Sequence, residues 1–299
     1  MRDLLLLIFL QACWSASYVA MKISLGAMPL GLVMILRYGI ATLALLLCGG
    51  WRGQKFTRRD ALLLCAVGFL DFTLSPLFQL SALQLTFAGD TALLIAMEPL
   101  LTAMLAWPLL GERINRRTLI AFSCATIGAL VMSDAASFFQ GHVTSLRLFG
   151  NGIFLLALIC EALFSITSRS LTQRYSPLAT TTRMFAVGTL GNIFWYHHDF
   201  NSAALTHITP HGWFAILFLA IPCSALGYGA WAFLARRMKI NRLSLSLFLQ
   251  PLFGQIVAAI VLGERPTIMT LLGGGIIFVS LLVWTILPGN AKNSLASPV

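Results

Sequence analysis

Five charged side chains sit inside otherwise apolar stretches of this sequence: Arg37, Asp71, Glu98, Glu161 and Arg183. A charge at mid-bilayer costs about 2.5 to 3.5 kcal/mol on insertion scales, so such residues face a bundle interior or a wet cavity and mark paths for substrates, ions or protons. Glu98 and Glu161 lie deepest in their stretches. A carboxylate there is able to hold a proton and a cationic substrate in turn. Plainer readings stand beside these: Arg37 can cap carbonyls or anchor a helix, and Arg183 can snorkel towards a helix end.

Pro99 directly follows Glu98, and Pro251 directly follows Gln250. A proline inside a helix withholds the bond to the carbonyl four residues back, here Ile95 and Leu247, and kinks the chain. Two such kinks would turn Glu98, Gln250 and freed carbonyls towards a common cavity; the prolines can equally serve only to shape helices for packing. Helical spacing also puts Trp14 and Tyr18 on one face, Asp71, Ser75 and Phe78 on another with Gln79 beside them, and Ser224, Tyr228 and Trp231 at i, i+4, i+7. Aromatic stripes with a few hydroxyls suit an organic solute that has an apolar body and polar groups. They are as common in ordinary helix packing.

The elements that must hold these residues are membrane helices. Of 299 residues 58% are hydrophobic and 10% charged, against roughly 25% charged in a soluble domain. Each bilayer crossing takes about 20 mostly apolar residues, because backbone groups in lipid must be satisfied within their own helix. Windows of that kind fall at 4–23, 31–49, 61–80, 91–110, 118–133, 152–167, 178–196, 213–234, 243–262 and 268–287. The expectation is an all-α integral membrane protein of ten transmembrane helices. Only 134–151 and 197–212 are long enough between windows for more than a turn, so no soluble domain is expected. A lipoprotein-like box at Cys13 is set aside, because the apolar run continues through it to helix length.

The formal charge of +10 is distributed unevenly. With the N-terminus cytoplasmic, fifteen Lys and Arg fall inside, including Arg58, Arg113, Arg116, Arg169, Arg174, Arg237, Lys239 and Lys292, and only Lys22, Arg147 and Arg265 outside. Such a bias orients a bacterial inner-membrane protein with both termini in the cytoplasm, and leaves nucleic acid no place. Trp51, Trp195 and Trp213, near window ends, read as interface anchors in contact with membrane lipid. The six cysteines form no CxxC pair. The histidines 142, 197, 198, 207 and 211 lie in the two long outer loops, with Pro210 inside the HxxxH interval, so neither metal nor cofactor is expected.

Sliding the chain on itself by 152 residues aligns IAMEPLLTAMLAWPLLGERI with LFLQPLFGQIVAAIVLGERP, and ten of 27 positions from Leu93 to Leu119 are identical. Apolar bias alone does not place a helix-interior proline and a GER terminus in one register. CWSASYVAMK from Cys13 also resembles CEALFSITSR from Cys160, which sets Lys22 opposite Arg169. The chain thus divides into a first repeat at 1–135, a periplasmic connection at 136–151, a second repeat at 152–288 and a cytoplasmic tail at 289–299. Five helices per unit is an odd number, so the halves are expected to be inverted, with a substrate site between them near the midplane.

The WSASYVAMK first helix, the Arg37, Tyr38 pair opening the second and the proline helix ending in GE resemble the drug/metabolite transporter superfamily, specifically its EamA type. Glu161 stands where a second-half counterpart of Trp14 would be, which departs from the pattern. The resemblance implies a ten-helix exporter of small metabolites, amino acids or drug-like compounds. No GxxxxGK[ST] loop provides for ATP drive, so a secondary transporter working by alternating access is expected, with proton coupling through a carboxylate such as Glu98 or plain facilitated diffusion both open. A membrane enzyme is disfavoured by the lack of HExxH, GxSxG or clustered aspartates, and a receptor or scaffold stays open. The stripe Ala121, Ala125, Ala129 and the run Gly273, Gly274, Gly275 call for close helix contacts within one chain or across a homodimer.

Overall fold

The computed structural model describes residues 2–52, 54–86, 88–132, 144–199, 208–261 and 267–286. These residues are helical almost throughout, with no strand among them. In chain order the helices are α1 (Arg2–Ala27), α2 (Leu30–Leu47), α3 (Arg58–Phe69), α4 (Ser75–Leu83), α5 (Ala88–Leu110), α6 (Arg116–Met132), α7 (Ser145–Thr172), α8 (Pro177–Tyr196), α9 (Pro210–Phe218), α10 (Gly227–Arg237), α11 (Ile240–Leu245), α12 (Leu249–Val261) and α13 (Ile268–Ile286). Their ends follow local chemistry. Thr57, Thr144 and Thr209 cap α3, α7 and α9 by accepting from the amide three residues on, and Pro177 and Pro210 begin α8 and α9 where no amide is needed. Gly111, at φ 69°, ends α5 in the left-handed region.

Six stretches are long and apolar enough to cross a membrane: Arg2–Ala27, Leu30–Leu47, Arg58–Ala82, Ser145–Thr172, Pro210–Arg237 and Ile240–Val261. Leu94–Leu110 and Ile268–Trp284 are apolar but shorter. The remaining windows overlie α6, which has 17 residues, and α8. α8 reads as less apolar because Thr180, Thr181, Thr182 and Asn192 are polar, yet all four are buried against protein. Two of the single helices expected from hydropathy are interrupted: π-helical turns at Leu70–Leu74 and Leu219–Leu226 join α3 to α4 and α9 to α10.

Several of the described basic residues meet at one end of the bundle. There Arg237 meets Asp3 at 3.4 Å, Arg174 meets Asp60 at 2.8 Å and Arg169 meets Glu112 at 3.5 Å, while Arg117 and Arg242 lie over the Trp284 ring. At the other end the Asp199 carboxylate accepts from the Gly31 amide at 3.1 Å. One expectation is corrected there. Arg147, counted as a loop cation, is buried and forms an ion pair with Asp90 at 2.6 Å, since α7 begins at Ser145 and carries it inside. Phe139, His142, His207, Gly263, Glu264, Arg265, Lys292 and the 289–299 tail lie outside the described residues.

The small-residue stripe is used within the chain. Ala121, Ala125 and Ala129 are buried against α13, where Ser280 donates to the Ala121 carbonyl at 2.9 Å. A Cβ on Gly128 would stand 2.8 Å from the Gly273 carbonyl oxygen and 2.9 Å from the Ile277 amide nitrogen. Backbone cannot yield as a flexible side chain would. Gly128→Leu is therefore expected to lower the thermal unfolding temperature in detergent by an amount matching about 2 kcal/mol or more. Gly26→Leu, at a position with nothing within 4 Å, is the control and is expected to change it little.

Candidate functional site

The centre of the bundle encloses a cavity of about 480 Å³. Its floor is aromatic. Trp14 of α1 lies 5.2 Å from Tyr228 and 5.3 Å from Trp231 of α10, ring centre to ring centre, and beneath them Phe72, Phe164 and Phe185 pack on Tyr38 and Tyr228. Tyr18, one turn on from Trp14, lines the wall, and the same stripe continues through Met21 and Lys22 to Leu25 at the mouth. Lys22 and Leu25 are exposed, whereas the arginine-rich end contributes nothing to the lining.

Three carboxylates and one guanidinium face this space: Asp71 from the first π turn, Glu98 from α5, Glu161 from α7 and Arg37 from α2. Glu161 already has protein partners, accepting from Gln79 Nε2 at 2.5 Å and from Ser75 Oγ at 3.3 Å. Arg37 donates from Nε to Ser224 Oγ at 2.9 Å, and no ion pair joins it to a carboxylate among the described residues. Asp71 is different: it is 4% exposed, and neither carboxylate oxygen has a hydrogen-bond partner among the described residues. Trp231 Nε1 is likewise buried without an acceptor.

Gln250 joins Glu98 in the lining, but not through a matched pair of kinked helix interiors. The two prolines are accommodated differently. α5 continues without interruption through Pro99, whereas the chain before Pro251 tightens into a 3-10 turn at Ser246–Phe248 and restarts as α12 at Leu249. Pro251 then falls in the first turn of a helix, where its missing amide has no partner to lose. α1 is stitched to this break: Gln11 Nε2 donates to Ser246 Oγ at 2.9 Å, and Ser15 Oγ lies 2.8 Å from the Gln250 carbonyl oxygen.

Both π turns are held by a side chain from a neighbouring helix. Asn192 of α8 donates to the Phe72 carbonyl at 2.7 Å, and the Trp14 indole donates to the Cys223 carbonyl at 2.8 Å. Trp14 is thus a strut as well as a wall. Extra residues in such turns are found at functional sites more often than elsewhere. Here one turn carries Asp71, and the other carries the Ser224 that positions Arg37.

Two sequence candidates stand elsewhere. Phe78 is not among the lining residues: the widened turn at Leu70–Leu74 changes the angular step, so Gln79 comes into line with Asp71 while Phe78 swings roughly a quarter turn aside. Arg183 lies over the Phe56 ring at 4.6 Å and donates to the Ala179 and Gln54 carbonyls, a carbonyl cap remote from the cavity. Conversely, Tyr38, Lys22 and Ser165 line the cavity without having been singled out for it. Lys22 could have been found by extending the Trp14, Tyr18 spacing one more turn.

The sequence profile of the EamA-like transporter family matches residues 1–134 and 148–286. The chain belongs to this family. It is 24% identical over 274 residues to a probable terminal-alkyne amino-acid exporter of Streptantibioticus cattleyicolor, covering 90% of this chain and 89% of that one. A probable amino-acid metabolite efflux pump of Salmonella typhimurium is 25% identical over 301 residues, with 94% of each chain covered. A transporter of Archaeoglobus fulgidus, itself uncharacterized, is 26% identical over 276 residues, 90% and 92% covered. A solved crystal structure superposes with a TM-score of 0.80 at 19% identity, covering 96% of this chain and 99% of the other, which speaks to fold alone. Family and apolar helices together make this a multi-pass membrane protein whose relatives are transporters and exporters.

Proposed function

We propose that the protein is a secondary transporter that exports small organic metabolites, amino acids, their derivatives or drug-like compounds, by alternating access. One observation carries the reading: the cavity combines carboxylates, a guanidinium and aromatic rings, and reaches the surface at Lys22 and Leu25 while the arginine-rich end is shut. Ten crossings arranged as two inverted five-helix units, an inner-membrane location and a cytoplasmic arginine-rich end complete the proposal, and the Lys and Arg bias supports that orientation. In this arrangement the cavity opens away from the cytoplasm, as it would after substrate release. Purified protein in liposomes is expected to give saturable flux of at least one compound from a panel of amino acids, nucleobases and cationic drugs. Flux no greater than in protein-free liposomes across the whole panel would overturn the reading.

Coupling is assigned to Glu98, beside Pro99 and opposite the neutral Gln250. If both positions only shaped a polar wall, Gln would serve at 98 as it does at 250. Glu98→Gln is expected to insert normally and to lose uptake driven by a pH gradient, while keeping flux down the substrate's own gradient. Gradient-driven flux at the wild-type rate in the inserted variant would remove the coupling role and leave Glu98 a cavity wall.

A further inference from the structure

The unmatched group in the cavity is Asp71. Burying an ionised carboxylate without a partner is costly enough that such groups are found neutralised, paired or bound to a cation. Within a membrane span the default expectation for one is a functional site. The other carboxylates do not share its situation. Glu161 is held by Gln79 and Ser75, and Glu98 is only partly buried.

The fold spends several contacts to hold Asp71 where it is. Phe72, next in the chain, is fully buried in the aromatic floor. Thr73 donates to the Gly188 carbonyl at 3.2 Å, and Asn192 bridges the Phe72 and Gly188 carbonyls at 2.7 and 2.8 Å. Gly188 and Gly191 let α8 approach so closely that a Cβ on either would collide with Phe72 or Thr73. With its neighbours fixed on the α8 side, Asp71 is left on the cavity side. The charged and titratable groups around it there are Arg37 and Tyr38 from α2, Glu161 and Cys160 from α7, Glu98 from α5, Tyr228 from α10 and Tyr18 from α1. Its oxygens accept from none of them.

We infer that Asp71 is the specificity-determining anion of the cavity, the acceptor for a protonated primary amine on an aromatic or similarly bulky substrate, with Arg37 placed to take a carboxylate where the substrate has one. This rests on the transport reading and adds the substrate class to it. An ammonium group brings three donors to two unused acceptors, and the partly exposed Trp14 and Tyr228 rings in the lining are aromatic surface for both the apolar body and the cation. Charge-assisted bonds of this kind are the strong ones.

The test compares phenylalanine and tyramine, which carry the amine, with 3-phenylpropionate, which lacks it. Flux is measured in proteoliposomes and binding by quenching of tryptophan fluorescence, on the wild type, Asp71→Asn and Asp71→Ser. Both variants are expected to raise the apparent KM and dissociation constant for the two amines by about 10- to 100-fold and to leave 3-phenylpropionate unchanged or bound more tightly. They are also expected to unfold, without ligand, no lower in temperature than the wild type, because an unpaired buried charge has been removed. A structural role would lower that temperature and weaken all three probes alike, and either that pattern or wild-type constants for the amines would overturn the inference. So would a wild type that neither binds nor moves phenylalanine or tyramine. In that case flux of any non-amine in the panel keeps the transport reading standing, and its absence takes both down.

Discussion

Replacing Glu112 with Ala is expected to open the arginine-rich end of the cavity. The Glu112 carboxylate is 8% exposed and lies 3.5 Å from Arg169 Nε of α7. It also accepts from the Asn241 amide at the start of α11 at 3.3 Å, while its backbone carbonyl accepts from Asn241 Nδ2 at 3.2 Å. Arg169 in turn donates to the Ala235 carbonyl at 2.7 Å at the end of α10. One carboxylate therefore ties the exit of α5 to α7, α10 and α11. Breaking a buried pair costs about 3 to 5 kcal/mol; Arg169 keeps some solvent and two carbonyls, so about 2 to 3 kcal/mol is the better expectation here, a shift of about 30- to 150-fold in the closed-to-open ratio. The measurement is the labelling rate of Ser165→Cys, a lining position, by an impermeant thiol reagent supplied on the arginine-rich face, with the native cysteines replaced. No acceleration in Glu112→Ala would mean that the closed end is held by packing alone.

The second large effect is on stability, at the opposite end. Arg147 grips Asp90 from Nε and Nη2, both at 2.6 Å, and Asn151 and Thr86 each donate to the same carboxylate at 2.9 Å. Both side chains are almost fully buried, at 4% and 1% exposure. Asp90→Ala removes both of these bonds from the Arg147 guanidinium between α5 and α7 and is expected to destabilise by about 2 kcal/mol or more. Arg174→Ala, which breaks a pair whose arginine is 53% exposed, is expected to cost under about 1 kcal/mol. Thermal melts of the two variants in the same detergent make the comparison, and equal losses would refute it. Acid gives an independent check. The bonds from Arg147 hold the Asp90 carboxyl down at about 2, from an ordinary 3.8. A lowered native value means stability that is complete above pH 4 or so and is lost as pH falls towards 2. The Asp90→Ala protein lacks that component, so the gap between variant and wild type should narrow over that interval.

Hydropathy and charge carried much of the architecture. The cost of leaving backbone groups unsatisfied in lipid makes a long membrane helix announce itself as an apolar run, as six of the described stretches do, and Arg169, Arg174 and Arg237 from separate loops pair with Glu112, Asp60 and Asp3. The penalty for charge in lipid likewise picked out Asp71, Glu98, Glu161 and Arg37, because a membrane protein tolerates such groups mainly where they face protein or water. It failed for Arg183, whose position near a helix end permits a cheap carbonyl cap. What composition could not give was pairing across the chain. Asp90 with Arg147 and Glu112 with Asn241 are 57 and 129 residues apart, and nothing local marks one as the other's partner. Nor could it give the π turns, since LDFTL is as compatible with an α-helix as with a wider one until Asn192 and the α8 glycines close on it.

Those turns also bear on how the bundle moves. A helix is a stiff rod only while each turn bonds to the next in one register, and a widened turn is where such rods bend. α3–α4 and α9–α10 are in mechanical terms two-piece levers, each jointed at the depth of the cavity. A lever jointed at its middle can tilt at one end while the other stays seated. On the transport reading, α4 and α9 would tilt about these joints while α3 and α10 stay tied through Asp60 and Arg169, and the reverse, so that one mouth need not gape when the other does.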